Sequence, residues 1–205
     1  MADTVAVALF RHGLTERNKQ HAYSGWGDIS LSKEGIDALK STSLFEPDLL
    51  FSSDLKRCEE TAAILFPGYH LTFIPEFREM NFGDWEGRTY EELKEDLTYL
   101  KWLDDPAAAK PPNGESMVEF SLRVKHAWSL IKKAVLPENQ RIVIITHGGP
   151  IRQLLSMLSI EKKAFWEWEL PPASGYELIF DRETFGRNET CTSLQVEPIT
   201  AKANG

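Results

Sequence analysis

The chain has 205 residues and a formal net charge of −8, from 23 Lys and Arg against 31 Asp and Glu. A length of this order carries one sizeable core and reads as a single domain, while the acidic balance argues against nucleic acid or an anionic membrane as a partner, since both need a basic face. No stretch approaches the roughly 20 apolar residues of a membrane span, and Asp3 stands where a secretory signal would carry lysines, so a cytoplasmic location is expected; Cys58 and Cys191 form no C-x-x-C pair and indicate neither a disulfide framework nor a zinc site.

Residues 4–10 read as the first strand, its apolar run over 5–10 leading into Arg11-His12-Gly13. Ser32 is placed to cap a helix running to about Thr42, and Pro47-Asp48 opens a short strand over 49–51. Ser53 or Asp54 caps the next helix, to about Leu65, which Pro67-Gly68 stops. Residues 71–74 read as a third short strand. Two capping boxes follow, Thr89-x-x-Glu92 and Ser116-x-x-Glu119. The second opens a long helix to about Ala134, with Met117, Phe120, Val124, Ala127 and Ile131 on one stripe. Between the two helices Pro111-Pro112-Asn113-Gly114 is the most turn-like stretch. Residues 142–146 form another buried strand, ending at Thr146-His147-Gly148, and a helix over about 150–158 follows at once, with Pro150 in its first turn. Residues 176–180 and 193–196 read as strands joined by a polar loop over 181–190, and the last residues read as frayed. Alternating strands and helices imply an α/β fold, a three-layer α/β/α sandwich around a mostly parallel sheet. Residues 81–113 are more irregular and hold Trp85, Tyr90, Tyr99 and Trp102, so they read as a lid, wall or specificity insertion over the site.

The two histidine tripeptides carry the chemistry. Each closes an apolar run, which puts both imidazoles at carboxyl ends of buried strands, where open α/β sheets place ligands. Arg11 beside His12 would repel a metal cation, so the pair suits an anion, and we read a phosphate site. Along the chain it is joined by Asn18, Tyr23-Ser24-Gly25-Trp26, Ser53-Asp54-Leu55-Lys56-Arg57, the 78–87 stretch around Glu79 and Trp85, Asn113-Gly114-Glu115-Ser116 and Gly149-Pro150-Ile151-Arg152.

This ordered set resembles the histidine phosphatase superfamily, its phosphoglycerate-mutase-like branch, over most of the chain. Within it, the 79–86 stretch and the Asn113-Gly114-Glu115 turn are most similar to α-ribazole-phosphate phosphatases and broad-specificity bacterial phosphatases. The resemblance implies a phosphomonoesterase acting on a small phosphorylated metabolite, with α-ribazole 5'-phosphate or a sugar phosphate as candidates, and with no metal or other cofactor. It makes His12 the nucleophile that forms a phosphohistidine. Arg11, Arg57 and His147 surround the transferred group and hold His12 deprotonated. Glu79 serves as general acid, then as base toward water, its proton favoured by Met80, Phe82, Trp85 and the substrate's charge; Glu76 is its competitor. Asn18, Ser24, Gly25 and the backbone N–H groups of Gly148 and Gly149 add neutral donors to the phosphate.

Two other readings share this core. A phosphoglycerate mutase resembles the chain but would carry a longer insertion with extra basic residues before the final histidine, where this chain has Met80-Asn81-Phe82-Gly83. A silent phospho-ligand binding module would have lost its nucleophile or acid. Of the remaining residues, His21, His70 and His126 read as surface or structural, Arg88 as a candidate near the leaving group, Arg152 as the partner of a carboxylate, and Cys58 as a buried thiol. The 165–168 aromatics could mark a homodimer interface.

Overall fold

The computed structural model describes residues 3–41, 45–187 and 190–198. Six strands form one sheet in the order β3-β2-β4-β1-β5-β6: β1 is Thr4–Arg11, β2 Leu49–Ser52, β3 Leu71–Phe73, β4 Arg141–Thr146, β5 Ser174–Asp181 and β6 Ser193–Pro198. β1, β2, β3 and β4 are mutually parallel, whereas β5 and β6 add an antiparallel edge. Among the described residues, eight α-helices accompany them: α1 Glu16–Lys19, α2 Lys33–Lys40, α3 Lys56–Leu65, α4 Tyr90–Leu93, α5 Leu97–Asp104, α6 Met117–Ala134, α7 Gly148–Leu158 and α8 Arg182–Arg187.

The period-2 alternation of the central strands sorts the core into two layers. Val5, Val7, Leu9, Ile142 and Ile144 face one side, where they pack with Phe120, Val124 and Ile131 of α6 and Ile151, Leu154 and Leu155 of α7. Ala8, Phe10, Val143 and Ile145 face the other and meet Cys58 and Ala62 of α3. Strands covered on both faces read as unbroken apolar runs, which is why β1 and β4 carry no polar alternation.

Several local expectations shift. The helix after Ser32 ends at Lys40, and Thr42 lies outside the described residues. α3 is capped at Leu55 without a side-chain bond, because Ser53 faces His147 and Asp54 pairs with Arg78. α7 opens at Gly148, two residues before Pro150. The expected polar loop after β5 contains α8, whose Phe185 packs on Trp128 and Phe180. In the irregular segment the Thr89 capping box opens only one turn; Asp96 then accepts the Thr98 and Tyr99 N–H groups and starts α5. Trp85, Tyr99 and Trp102 are buried together there, with ring centroids 5.2–6.2 Å apart.

Candidate active site

β1 and β4 are neighbours in parallel register, with Arg11 opposite Thr146. The ladder continues one step further, His12 N–H donating to the Thr146 carbonyl at 2.9 Å, so His12 and His147 leave the sheet side by side. Their ring centroids are 5.2 Å apart at an interplanar angle of 62°. Both are buried.

Hydrogen bonds set the tautomers. His12 Nδ1 lies 2.7 Å from the Gly13 carbonyl, which can only accept; Nδ1 therefore carries the proton and Nε2 keeps its lone pair. Arg57 Nε donates to His147 Nδ1 at 3.2 Å, so His147 bears its proton on Nε2 and donates to Ser53 Oγ at 2.9 Å. Burial first, then the charges of Arg57 and Arg11, hold His12 well below the ordinary histidine range. His147 is lowered in the same direction by burial and by Arg57. Both imidazoles are neutral at pH 7.

The guanidinium of Arg57 is fully buried. Nη2 donates to Gly25 O at 2.6 Å and Nη1 to Gly27 O at 2.9 Å, so the Ser24-Gly25 turn fixes the cation that orients His147. That turn is held in place by Glu86, whose carboxylate accepts the Trp26 and Gly27 N–H groups. Arg11 donates through Nη1 to Leu170 O, and its buried Nε has no partner. The Ser24 hydroxyl is also buried without a partner. Both groups are donors of the kind that bind an anion. Asn18 closes a capping box, its Oδ1 accepting from Thr15 N and Oγ1, and it lines a cavity of about 490 Å³ with Arg11 and His21.

Glu79 lies across the site from this cradle. Its Oε1 accepts Met80 N–H and its Oε2 accepts Gly149 N–H, both at 2.9 Å. The carboxylate also acts electrostatically on Arg11, Arg57 and Arg152. Met80, Phe82, Arg152 and Trp166 line a cavity with it. Phe82 and Trp166 continue into an apolar cavity of about 330 Å³ closed by Tyr23 and Trp102, and Tyr23 is also a wall of the Arg11 cavity. The arrangement offers an unprotonated imidazole nitrogen, guanidinium groups for an anion, a carboxylate and an aromatic trough.

The profile described as "Histidine phosphatase superfamily (branch 1)" matches residues 7–190. The chain belongs to the histidine phosphatase superfamily. It is 31% identical to the adenosylcobalamin/α-ribazole phosphatase of Escherichia coli K12 over 171 residues, covering 79% of this chain and 83% of that one. It is 27% identical to a 2,3-bisphosphoglycerate-dependent phosphoglycerate mutase of Buchnera aphidicola, covering 86% and 94%. Among solved structures, the α-ribazole phosphatase of Shigella flexneri superposes with a TM-score of 0.82 at 26% identity, covering 98% of this chain and all of that one. This histidine phosphatase is accordingly a phosphoric monoester hydrolase of the phosphohistidine type.

The structure brings His12, His147, Arg11, Arg57 and Glu79 together, with Asn18, Ser24 and Gly25 beside them. It differs at Gly149, whose N–H was expected to face the phosphate: that N–H is bonded to Glu79, which sits directly against the glycine. Gly148 opens α7 behind His147, near Arg11 and Arg152. Trp85, expected beside the acid, belongs to the Tyr99–Trp102 cluster instead. Glu76 points toward His126, 3.6 Å away. Arg152 bonds to the Trp168 carbonyl and lies over the Trp166 ring rather than forming an ion pair. Arg88 is exposed and bonds to Glu92 O. Of the 165–168 aromatics, Trp168 is buried and Trp166 lines the cavity. Cys58 lies against His147, its thiol pushed up to about 12 by burial.

Sequence reasoning missed the contact of Ser53 with His147 and the part played by Arg123, which donates to the Glu79 carbonyl; it had Glu115 only as part of the Asn113-Gly114-Glu115 turn and not as the partner of Arg123. Ser53 stood in the motif as a helix cap, the more common use of a serine before a helix. Nothing local marks Arg123.

Among the described residues, no helix is long and apolar enough to cross a membrane.

Proposed function

We propose that this phosphatase hydrolyses a small phosphomonoester whose alcohol portion is aromatic or apolar, with α-ribazole 5'-phosphate, the substrate in the names of its relatives, as the leading candidate. The observation that carries the proposal is the His12–Gly13 hydrogen bond, which leaves Nε2 unprotonated beside Arg11 and Arg57. In this reading Nε2 attacks phosphorus, the ester P–O bond breaks, and Glu79 gives its proton to the leaving oxygen. Arg11, Arg57 and the Ser24 hydroxyl stabilise charge on the equatorial oxygens of a loose transition state. Glu79, now a carboxylate, takes a proton from water, whose oxygen attacks phosphorus; the P–N bond breaks, and phosphate and neutral His12 are regenerated.

Tyr23, Phe82, Trp102 and Trp166 form the wall against which a planar alcohol portion stacks, with residues 81–113 as the specificity-shaping segment. Two free, buried cysteines accord with a cytoplasmic enzyme. The test is a rapid-quench experiment. Wild-type protein mixed with labelled substrate should give an acid-labile, base-stable phosphoryl adduct that His12→Ala lacks, together with loss of turnover. A phosphoenzyme still formed by His12→Ala overturns the assignment. In parallel, kcat/KM for α-ribazole 5'-phosphate should exceed that for 3-phosphoglycerate; the reverse order removes the aromatic-trough reading.

A further inference from the structure

Glu79 sits on residues 78–82, a stretch without regular structure between two 3₁₀ turns, Pro75–Phe77 and Gly83–Trp85. Backbone carbonyls in such a stretch need partners from elsewhere. Arg123, within α6, supplies them. Its Nη1 donates to the carbonyls of Glu76 and Arg78 at 2.7 and 2.8 Å, and its Nη2 to that of Glu79 at 3.1 Å.

The guanidinium is itself fixed. Glu115 accepts Arg123 Nε at 2.8 Å and Nη2 at 2.7 Å, one oxygen for each nitrogen, the two-pronged geometry that only a planar guanidinium provides. Glu115 is tied to the same stretch, accepting the Asn81 N–H at 3.2 Å and donating its own N–H to Asn81 O at 2.9 Å. Both side chains are largely buried, at 16% and 11% exposure. Trp26 completes the grip, its indole N–H donating to the Glu79 carbonyl at 2.9 Å while the Arg78 and Arg123 guanidiniums lie over its ring.

A buried ion pair is weak evidence for stability, since desolvation offsets much of its attraction. Here the pair does something more particular: it grips the backbone of the proton donor and of the residues on either side. Resting on the reading of Glu79 as that donor, we propose that Arg123, locked by Glu115, is a positioning residue that holds the Glu79 carboxylate at the leaving oxygen. It acts through the loop and touches neither phosphate nor alcohol.

The test compares an ester that needs a proton on its leaving group with one that does not: glycerol 1-phosphate against 4-nitrophenyl phosphate. Glu79→Gln should lower kcat strongly on the first and much less on the second. Arg123→Lys should reproduce that leaving-group dependence, with a loss of up to about 10²-fold in kcat on the alkyl ester, the scale of a small misplacement of a reacting group. KM should stay close to wild type, whereas the thermal midpoint falls, because a lysine cannot satisfy all the carbonyl and Glu115 oxygens that the guanidinium holds. In the Glu79→Gln background, Arg123→Lys should cost nothing further on the alkyl ester. Glu115→Gln should act in the same direction and decides the matter should Arg123→Lys fail to fold. If Glu79→Gln discriminates between the esters but Arg123→Lys loses equally on both, loses nothing, or adds its loss to that of Glu79→Gln, the positioning role is overturned and the reading of Glu79 stands. A Glu79→Gln variant impaired equally on both esters overturns that reading and the positioning role with it.

Discussion

At Gly149 one missing methyl group decides where the acid can sit. A Cβ there would lie 2.0 Å from Glu79 Oε1, inside any possible contact, so an alanine forces the carboxylate away from the α7 N-terminus and breaks its bond to the Gly149 N–H. The helix would not object, because alanine is favoured over glycine within a helix by up to about 1 kcal/mol. Gly149→Ala should therefore lower kcat on alkyl phosphates by up to about 10²-fold and affect 4-nitrophenyl phosphate less, while the gain in helix propensity is offset by the lost bond to Glu79 and by a Cβ 3.2 Å from Phe120 Cζ. A variant as active as wild type on alkyl esters would mean that the contact with Gly149 does not place the proton donor. The same residue shows where residue-level reading stops. A glycine behind a strand-terminal histidine was legible as part of a phosphate site, but its service to Glu79 depends on a partner seventy positions away in the chain, and no local signal reports that.

Among the elements, those with strong apolar periodicity were readable and those held by polar side chains were not. β1, β4 and α6 declare themselves through runs and stripes that must be buried, and because β1 and β4 end at Arg11 and Thr146, the meeting of His12 with His147 follows from their pairing. α1, α5 and α8 are short, and α1 and α5 depend on caps at Thr15 and Asp96 that look like ordinary polar residues in sequence. The Arg123–Glu115 clamp joins a helix to a turn and becomes visible only once tertiary structure sets them together. The aromatic wall permits an element-level prediction. Trp102 is 3% exposed and packs edge-on against Tyr23, Phe82 and Trp85, whereas Trp166, which lines the same trough, is 58% exposed. Trp102→Ala should cost about 3–5 kcal/mol of stability, the usual range for a buried aromatic. Trp166→Ala should leave the denaturant midpoint nearly unchanged but raise KM for aromatic esters roughly three- to tenfold, the equivalent of one aromatic contact. Equal destabilisation by the two would place Trp166 in the core, and a KM unchanged in Trp166→Ala would remove it from the substrate wall.

For the whole molecule the active site is also a stability liability in acid. Two imidazoles, His12 and His147, are buried and neutral, their pKa values lowered by burial and by Arg57 and Arg11. In the unfolded chain they return to the ordinary value of about 6.5. Between that value and the lower folded ones the unfolded state binds more protons than the native state, so stability is fully present above about 6.5 and falls as the pH drops below it. Each histidine contributes a slope of up to about 1.4 kcal/mol per pH unit in that window. Carboxylates held by hydrogen bonds also destabilise in acid, but only near and below their own unfolded value of about 4, so the region from pH 7 to 5 isolates the histidines. Urea unfolding at pH 7.5, 6.5, 5.5 and 5.0 should therefore show stability falling well before carboxylates titrate, and His12→Gln combined with His147→Gln should flatten the curve. Orthophosphate should do the same in part. A bound dianion offsets the charges of Arg11 and Arg57, raises both imidazole pKa values toward the unfolded one, and so reduces the difference in proton binding that drives the loss. A wild-type curve already flat between pH 7.5 and 5.0 without phosphate would mean that the two histidines are not held neutral by burial and the arginines, and the unprotonated nucleophile would need another explanation.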